Sequence, residues 1–241
     1  MDAFSMAPRA STWLIVGNGP STRPASLESF DGMPSIAMNR ISLLYPETKW
    51  RPSVYVCTSS NARNKPWRKS IVQAIHEAST CFLSQDALNQ VSRDLTDTDL
   101  AKVGVLSTRN GREVLDEVPT SWWSDDPRAS VCKFGSTLLV AVQMAAWLGG
   151  RQFHFLGVDQ QFSDPLRLGW FPGRLRNEVA KRVDSNHFSS KYGTPGLKAK
   201  DLNRNMAAVH KLIASLGADR QWRLINHSDV DSVPGYEWSP L

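Results

Sequence analysis

The chain has 241 residues, of which 41% are hydrophobic and 21% are charged, and its formal net charge at pH 7 is +5. This composition excludes a disordered chain, and so mild a positive charge does not by itself indicate a nucleic-acid-binding protein. Its three cysteines are too few for a disulfide scaffold, and they form no C-x-x-C pair of the zinc-ribbon or thioredoxin type.

The apolar stretches of the chain are short. The longest one, residues 138–148, contains Gln143 and falls far below the ~20 residues that a transmembrane helix needs. The run at residues 13–16 is too short for the core of a secretory signal. These observations predict a cytoplasmic protein without a transmembrane segment, and they leave its oligomeric state open, a homo-oligomer included.

Apolar runs and helical periodicities alternate along the chain. The runs that predict strands are Thr12–Val16, Ser35–Met38, 53–57, 81–83, Val103–Leu106, 152–158 and 222–225. Helices are predicted over 65–78, over 136–148 and over about 202–216, where Gly217 ends the apolar face. This alternation predicts an α/β fold for residues 1–241 as a single domain, with a Rossmann-like, mostly parallel sheet and helices on both faces.

One segment, about residues 160–200, interrupts the alternation with prolines, glycines and a group of basic residues. Arg167, Arg174 and Arg176 lie in its first half. We interpret this segment as an irregular lid whose arginines would cover an anionic ligand. A solvent-exposed insertion without a ligand is the alternative that the sequence leaves open.

The first strand ends in Gly17-Asn18-Gly19-Pro20-Ser21. The glycines allow a tight turn that brings backbone N–H groups close to a ligand, and Pro20 suits the first position of a phosphate-facing helix. The third glycine and the acidic residue of the dinucleotide-binding fingerprint are missing, and the second strand ends in Asn39-Arg40. NAD is therefore disfavoured, whereas NADP with its 2′-phosphate on Arg40 stays open.

Three further motifs carry candidate chemistry. Ser136 and Thr137 open the apolar helix, where they can cap it or contact a phosphate or ribose. Gly157-Val158-Asp159 ends a strand, the place where open α/β sheets bind ligands, although Asp159 can equally cap the next turn. His187 lies in a polar stretch, where it can take a proton from a hydroxyl or be an ordinary surface histidine.

The order of these motifs resembles the bacterial sialyltransferases of glycosyltransferase family 42. It is also similar to the related domain of flagellar motility accessory factors and archaeal 6-hydroxymethylpterin diphosphokinases. The resemblance runs from about Trp13 to Ile225. It implies a transferase of cell-surface glycan biosynthesis that moves a sugar from a nucleotide-sugar donor, in the sialyltransferases a CMP-sugar, to a glycan acceptor without a metal. His187 would then be the general base that activates the acceptor hydroxyl.

The resemblance also implies a donor site. Asn18 and Gly19 would contact the donor phosphate region, Asn39 would contact the nucleotide and Gly157 would approach the cytidine. With the neighbouring motif positions, the predicted donor-binding residues are Asn18, Gly19, Pro20, Ser21, Asn39, Ser136, Thr137, Gly157, Asp159 and Gln161. Sialyltransferases carry at the position of Gln161 a tyrosine that helps the phosphate to leave. The phosphate candidates here are Arg167, Arg174 and Arg176 instead.

Two other functions remain open at this point. A Mg²⁺-dependent diphosphotransferase would bind ATP with the metal near carboxylates such as Asp159. A non-catalytic nucleotide-binding module would explain the missing tyrosine. The short Asp-x-Asp metal pattern occurs at 97–99 and at 229–231, but so short a pattern arises easily by chance, and we predict no metal site.

Overall fold

The computed structural model of the chain describes residues 2–19, 21–59, 65–110, 116–158, 199–228 and 233–241. Its strands are β1 (Thr12–Val16), β2 (Ser35–Met38), β3 (Val54–Cys57), β4 (Thr80–Ser84), β5 (Val103–Leu106), β6 (Thr108–Asn110), β7 (Val131–Lys133), β8 (Gln152–Leu156), β9 (Arg223–Asn226) and β10 (Glu237–Trp238). Eight of them form one sheet in the order β10-β9-β8-β1-β2-β3-β4-β5, with every neighbouring pair parallel. The predicted parallel α/β sheet is confirmed. Strands β6 and β7 pair separately, also in parallel.

The helices connect these strands. They are α1 (Ala3–Met6), α2 (Pro24–Glu28), α3 (Lys65–Glu77), α4 (Gln85–Val91), α5 (Asp97–Ala101), α6 (Thr137–Trp147) and α7 (Ala199–Arg220). Among the described residues, no helix combines the length and the apolar character that crossing a membrane requires.

Two apolar clusters cover the two faces of the sheet. Side chains alternate along β1, so that Trp13 and Ile15 face one cluster while Leu14 and Val16 face the other. Helices α6 and α7 pack on the first face, and α3 packs on the second. The prediction of helices on both faces is therefore confirmed, and it explains why the parallel strands are apolar on both sides.

Gln143 explains how a helix that is apolar nearly all round tolerates a buried amide. The Gln143 Nε2 donates to the carbonyl oxygens of Cys132 and Leu139 at 2.8 and 2.9 Å. Its Oε1 accepts from the backbone N–H groups of Cys132 and Ser124, both at 3.1 Å. Because both ends of the amide are bonded, Gln143 ties α6 to β7 without leaving a buried polar group unsatisfied.

The structure corrects two predicted helix boundaries. The helix expected to begin at Pro20 begins instead at Pro24, because the chain first forms a turn in which the Thr22 N–H donates to the Gly19 carbonyl at 3.1 Å. Helix α7 does not end at Gly217 but continues three residues further to Arg220.

The glycine at position 217 has a packing role rather than a terminating one. A Cβ at this position would lie 2.9 Å from Leu224 Cδ1 of β9. The bare backbone thus lets α7 lie close to the strand that follows it.

Candidate functional site

The strand order reverses at β1, since β2 to β5 continue on one side of it and β8 to β10 on the other. In open α/β sheets a crevice for ligands forms at such a reversal, beyond the carboxyl ends of the strands. Gly17 follows β1 and Gly157 follows β8, so both glycine motifs found in the sequence lie at this crevice.

The loops after β1 and β8 approach so closely that each needs a glycine. A Cβ on Gly17 would lie 2.2 Å from the Gly157 carbonyl oxygen. Gly157 has a φ of +69°, and a Cβ there would lie 1.7 Å from Thr22 Oγ1. The turn at Gly157 also ends β8 at Leu156, two residues before the predicted end of the strand.

Hydrogen bonds join these two loops. The Gly19 N–H donates to the Gly157 carbonyl at 2.8 Å, and the Gly157 N–H donates to Ser21 Oγ at 3.2 Å. The Thr22 hydroxyl donates to the Gly17 carbonyl at 3.2 Å. Gly19 and Ser21 therefore both bond the loop after β1 to Gly157 in the loop after β8.

Two asparagines follow β1 and β2. Asn39 adopts a left-handed conformation with a φ of 53°, accepts at its carbonyl oxygen from the Tyr55 hydroxyl, and accepts at Oδ1 from Thr137 Oγ1 at 3.3 Å. Asn18 Nδ2 donates to the Met38 carbonyl at 3.0 Å, which fixes the orientation of the amide. Its Oδ1 is shielded from solvent and has no hydrogen-bond partner among the described residues.

The start of α6 completes the polar cluster. Ser136 caps the helix by accepting from the Leu138 N–H at 3.1 Å, and Thr137 Oγ1 lies 3.2 Å from Thr58 Oγ1. Lys133 Nζ donates to the Thr58 carbonyl, and burial lowers the pKa of Lys133. Neither Lys133 nor Thr58 was among the predicted site residues, and the signal that could have found Lys133 is its place three residues before the Ser136 cap.

Arg40 does not support the NADP hypothesis. Its side chain is only 2% exposed, its Nε donates to Ser70 Oγ at 3.1 Å, and its guanidinium lies 5.1 Å from the centre of the Trp67 ring. Burial lowers the pKa of Arg40 to about 10. The guanidinium is engaged in the interior and is not available at the surface for a 2′-phosphate.

The Asp-x-Asp pattern at 97–99 has a structural explanation. Thr96 and Asp99 form a capping box at the start of α5, and Asp99 also contacts Lys102 and His76 at 3.3 and 2.7 Å. Burial acts to raise the pKa of Asp99, but these partners outweigh it and lower the pKa to about 2. Within the described parts of the chain, no group of three or more His, Cys, Asp or Glu side chains could hold a metal ion.

Seven of the predicted site residues lie outside the described residues, and the second Asp-x-Asp pattern at 229–231 lies outside them as well. The seven are Pro20, Asp159, Gln161, Arg167, Arg174, Arg176 and His187. The predicted donor-binding residues that the structure describes all lie around the carboxyl ends of β1, β2 and β8 or at the start of α6.

Comparison with solved structures relates this architecture to known proteins. A glycosyltransferase of Magnetospirillum magneticum AMB-1, described as MAf glycosyltransferase, matches 98% of this chain with a TM-score of 0.55 and 14% identity. The Campylobacter jejuni sialyltransferase CstII, solved with cytidine-5′-monophosphate, matches 96% of this chain with a TM-score of 0.50 and 12% identity. The chain has the fold of these glycosyltransferases. It spans 34% of the Magnetospirillum protein and 86% of CstII.

No protein-family model matches the chain, and no curated protein sequence matches it. The two structures share their fold with this chain, and neither of them is a pterin diphosphokinase.

Proposed function

We propose that this chain is a glycosyltransferase that binds a nucleotide-sugar, with a CMP-sugar favoured, and transfers the sugar to a hydroxyl of a glycan acceptor. The reaction needs no metal in this proposal, and it takes place in the cytoplasm as a step of cell-surface glycan biosynthesis. The observation that supports it best is the polar cluster at the strand-order reversal, in a fold shared with a sialyltransferase that was solved with cytidine-5′-monophosphate.

The cluster has the chemistry that a nucleotide requires. Thr137 links Asn39 to Thr58, and Lys133 adds an ammonium group beside Thr58. Amide and hydroxyl groups suit the base and ribose, while a partly desolvated ammonium suits the phosphate that becomes more negative as the sugar leaves. In the proposal the arginines Arg167, Arg174 and Arg176 assist Lys133.

The proposed reaction is an inverting substitution. His187 takes the proton of the acceptor hydroxyl, whose oxygen attacks the anomeric carbon of the donor sugar. The bond between that carbon and the phosphate oxygen breaks, and the nucleotide leaves with its electron pair. The proton remains on His187 until it passes to solvent.

The experiment measures nucleotide release from a panel of donors, each tested with and without EDTA. The panel contains CMP-, UDP- and GDP-sugars and ATP with a pterin. We expect slow release from one nucleotide-sugar that EDTA does not change. Release from ATP alone, abolished by EDTA, would replace the proposal with the Mg²⁺-dependent diphosphotransferase. Binding of nucleotides without turnover for any donor and acceptor pair would favour a non-catalytic module.

Two substitutions test the assigned roles. His187→Ala should abolish transfer and leave the affinity for CMP unchanged, with the exposed His76→Ala as a control. Lys133→Met should weaken CMP binding about tenfold, the effect of one charged hydrogen bond, whereas Lys69→Met on the exposed side of α3 should not. Normal transfer by the His187 variant would remove it from the mechanism.

A further inference from the structure

Helix α7 carries a buried apolar stripe, and near the beginning of the helix a polar side chain lies beside it. Leu216, Ile213 and Val209 point into the core on successive turns. The stripe continues toward the start of the helix at Met206, and the half-buried Asn205 lies beside it, one turn before Val209. A polar side chain at the edge of a buried stripe needs a partner for each of its atoms that is shielded from solvent.

The topology brings this part of α7 to the site. Strands β8 and β9 are parallel, so the chain leaves β8 at its carboxyl end and must enter β9 at its amino end. Because the 22 residues of α7 directly precede β9, the helix runs back along the sheet, and its first turns lie toward the carboxyl edge. The crevice between β1 and β8 opens at that edge.

A close approach to the turn before α6 supports this placement. Asn205 Nδ2 lies 3.5 Å from the position that a Cβ on Gly135 would occupy. Gly135 has a φ of +62° and immediately precedes Ser136, the cap of α6. The Asn205 amide therefore packs against the turn that presents Ser136 and Thr137.

The side-chain carbonyl oxygen of Asn205 has no hydrogen-bond partner among the described residues. Asn205 Oδ1 is shielded from solvent and accepts no hydrogen bond from the described residues. Asn18 Oδ1, in the loop after β1, is likewise shielded from solvent and without a partner among the described residues. A shielded carbonyl oxygen is satisfied by an O–H or N–H donor and repels a phosphate, which offers only acceptors at neutral pH.

We propose that Asn205 is a specificity-determining residue of the site, whose side-chain carbonyl accepts a hydrogen bond from a hydroxyl of the nucleotide-sugar. This inference rests on the proposed function. The hydroxyl belongs to the ribose or to the transferred sugar, and the two sources are separated by the choice of ligand. Asn205 thus recognises a polyhydroxylated group, while Lys133 on the neighbouring β7 faces the phosphate.

The test is calorimetric titration of wild type, Asn205→Ala and Asn89→Ala with CMP, 2′-deoxy-CMP, 3′-deoxy-CMP and CMP-sialic acid. Asn89 is an exposed asparagine of α4 and serves as the matched control. We expect Asn205→Ala to weaken binding about three- to tenfold, the effect of one neutral hydrogen bond, and Asn89→Ala to have no effect. A loss confined to CMP-sialic acid assigns the hydroxyl to the transferred sugar. A loss with CMP that is absent with one deoxy analogue assigns it to the ribose.

A second readout separates recognition from packing. Alanine favours helices and removes the unsatisfied carbonyl, so Asn205→Ala should raise the Tm of the ligand-free protein by about 2 °C or more while lowering its affinity. A side chain that served only packing would lower the Tm when truncated. Unchanged affinity of Asn205→Ala for every ligand would overturn the inference and leave the proposed function standing. If wild type binds none of the four ligands, the proposed function with a cytidine donor fails, and this inference fails with it.

Discussion

His210 makes the stability of the protein depend on pH in a way that one substitution can isolate. Its side chain on α7 is only 1% exposed, and its Nδ1 lies 2.9 Å from the Tyr236 hydroxyl. Its Nε2 is buried and has no partner among the described residues. Burial lowers the pKa of His210 from 6.5 to about 3, because the interior does not solvate an imidazolium.

The sign of the effect follows from proton binding. Below pH 6.5 the unfolded chain takes up a proton at this histidine, whereas the folded protein takes it up only near pH 3. The contribution of His210 to stability is therefore complete above pH 6.5 and is lost as the pH falls toward 3. At ~1.36 kcal/mol per unit of pKa, the loss between pH 7 and pH 5 is about 2 kcal/mol. Any folded pKa below about 4 gives the same figure, since the folded state then stays unprotonated at pH 5.

The perturbation is His210→Gln, which cannot titrate but can still bond to the Tyr236 hydroxyl. Urea unfolding at pH 7, 6 and 5, followed by tryptophan fluorescence, should show that wild type loses about 2 kcal/mol more than the variant. Burial also lowers the pKa values of His154 and His227, but these two histidines are common to both proteins and cancel in the comparison.

Tyr236→Phe is the control for the hydrogen bond. This variant loses the partner of His210 and about 1 kcal/mol of stability, but it keeps the buried histidine and should therefore keep the pH dependence of wild type. Parallel pH profiles for wild type and His210→Gln would refute the reasoning, because His210 would then titrate alike in both states.

Substitutions at Gly157, Asn39 and Asp99 test other parts of the fold. Gly157→Ala should lower the free energy of unfolding by about 3 kcal/mol or more, as seen by urea unfolding, whereas Gly149→Ala, whose Cβ would meet nothing closer than 3.4 Å, should cost less. Asn39→Gly should keep the left-handed turn but weaken CMP binding, and Asn39→Ala should be about 1 kcal/mol less stable than Asn39→Gly in thermal unfolding. Asp99→Asn should lower the free energy of unfolding by about 2 kcal/mol at pH 7. It should also remove the loss of stability expected as the pH falls from about 4 to 2. An unchanged dependence of stability on acid pH would contradict the lowered pKa of Asp99.

Local chemistry explains why much of the fold could be predicted from the sequence. The apolar runs at β1 and β2 are strands because parallel strands that are buried on both faces are apolar along their whole length. The apolar helix at α6 and the glycines at 17 and 157 were equally visible, since periodicity and turn chemistry are properties of short segments. The assignments to His187 and the arginines of the 160–200 segment stay predictions.

Contacts between distant segments were decided only by the tertiary structure. Nothing near Gly17 in the sequence shows that its partner is the carbonyl of Gly157, or that Gly217 makes room for Leu224 instead of ending a helix. The sequence shows Arg40 only as a cation at the end of a strand, whereas in the folded chain its side chain is buried in the interior. The position of Asn205 near the crevice follows only from the parallel pairing of β8 and β9, which brings the start of α7 to that edge of the sheet. Local propensity acts within a few residues, whereas burial and hydrogen-bond partners depend on how strands far apart in the sequence pair.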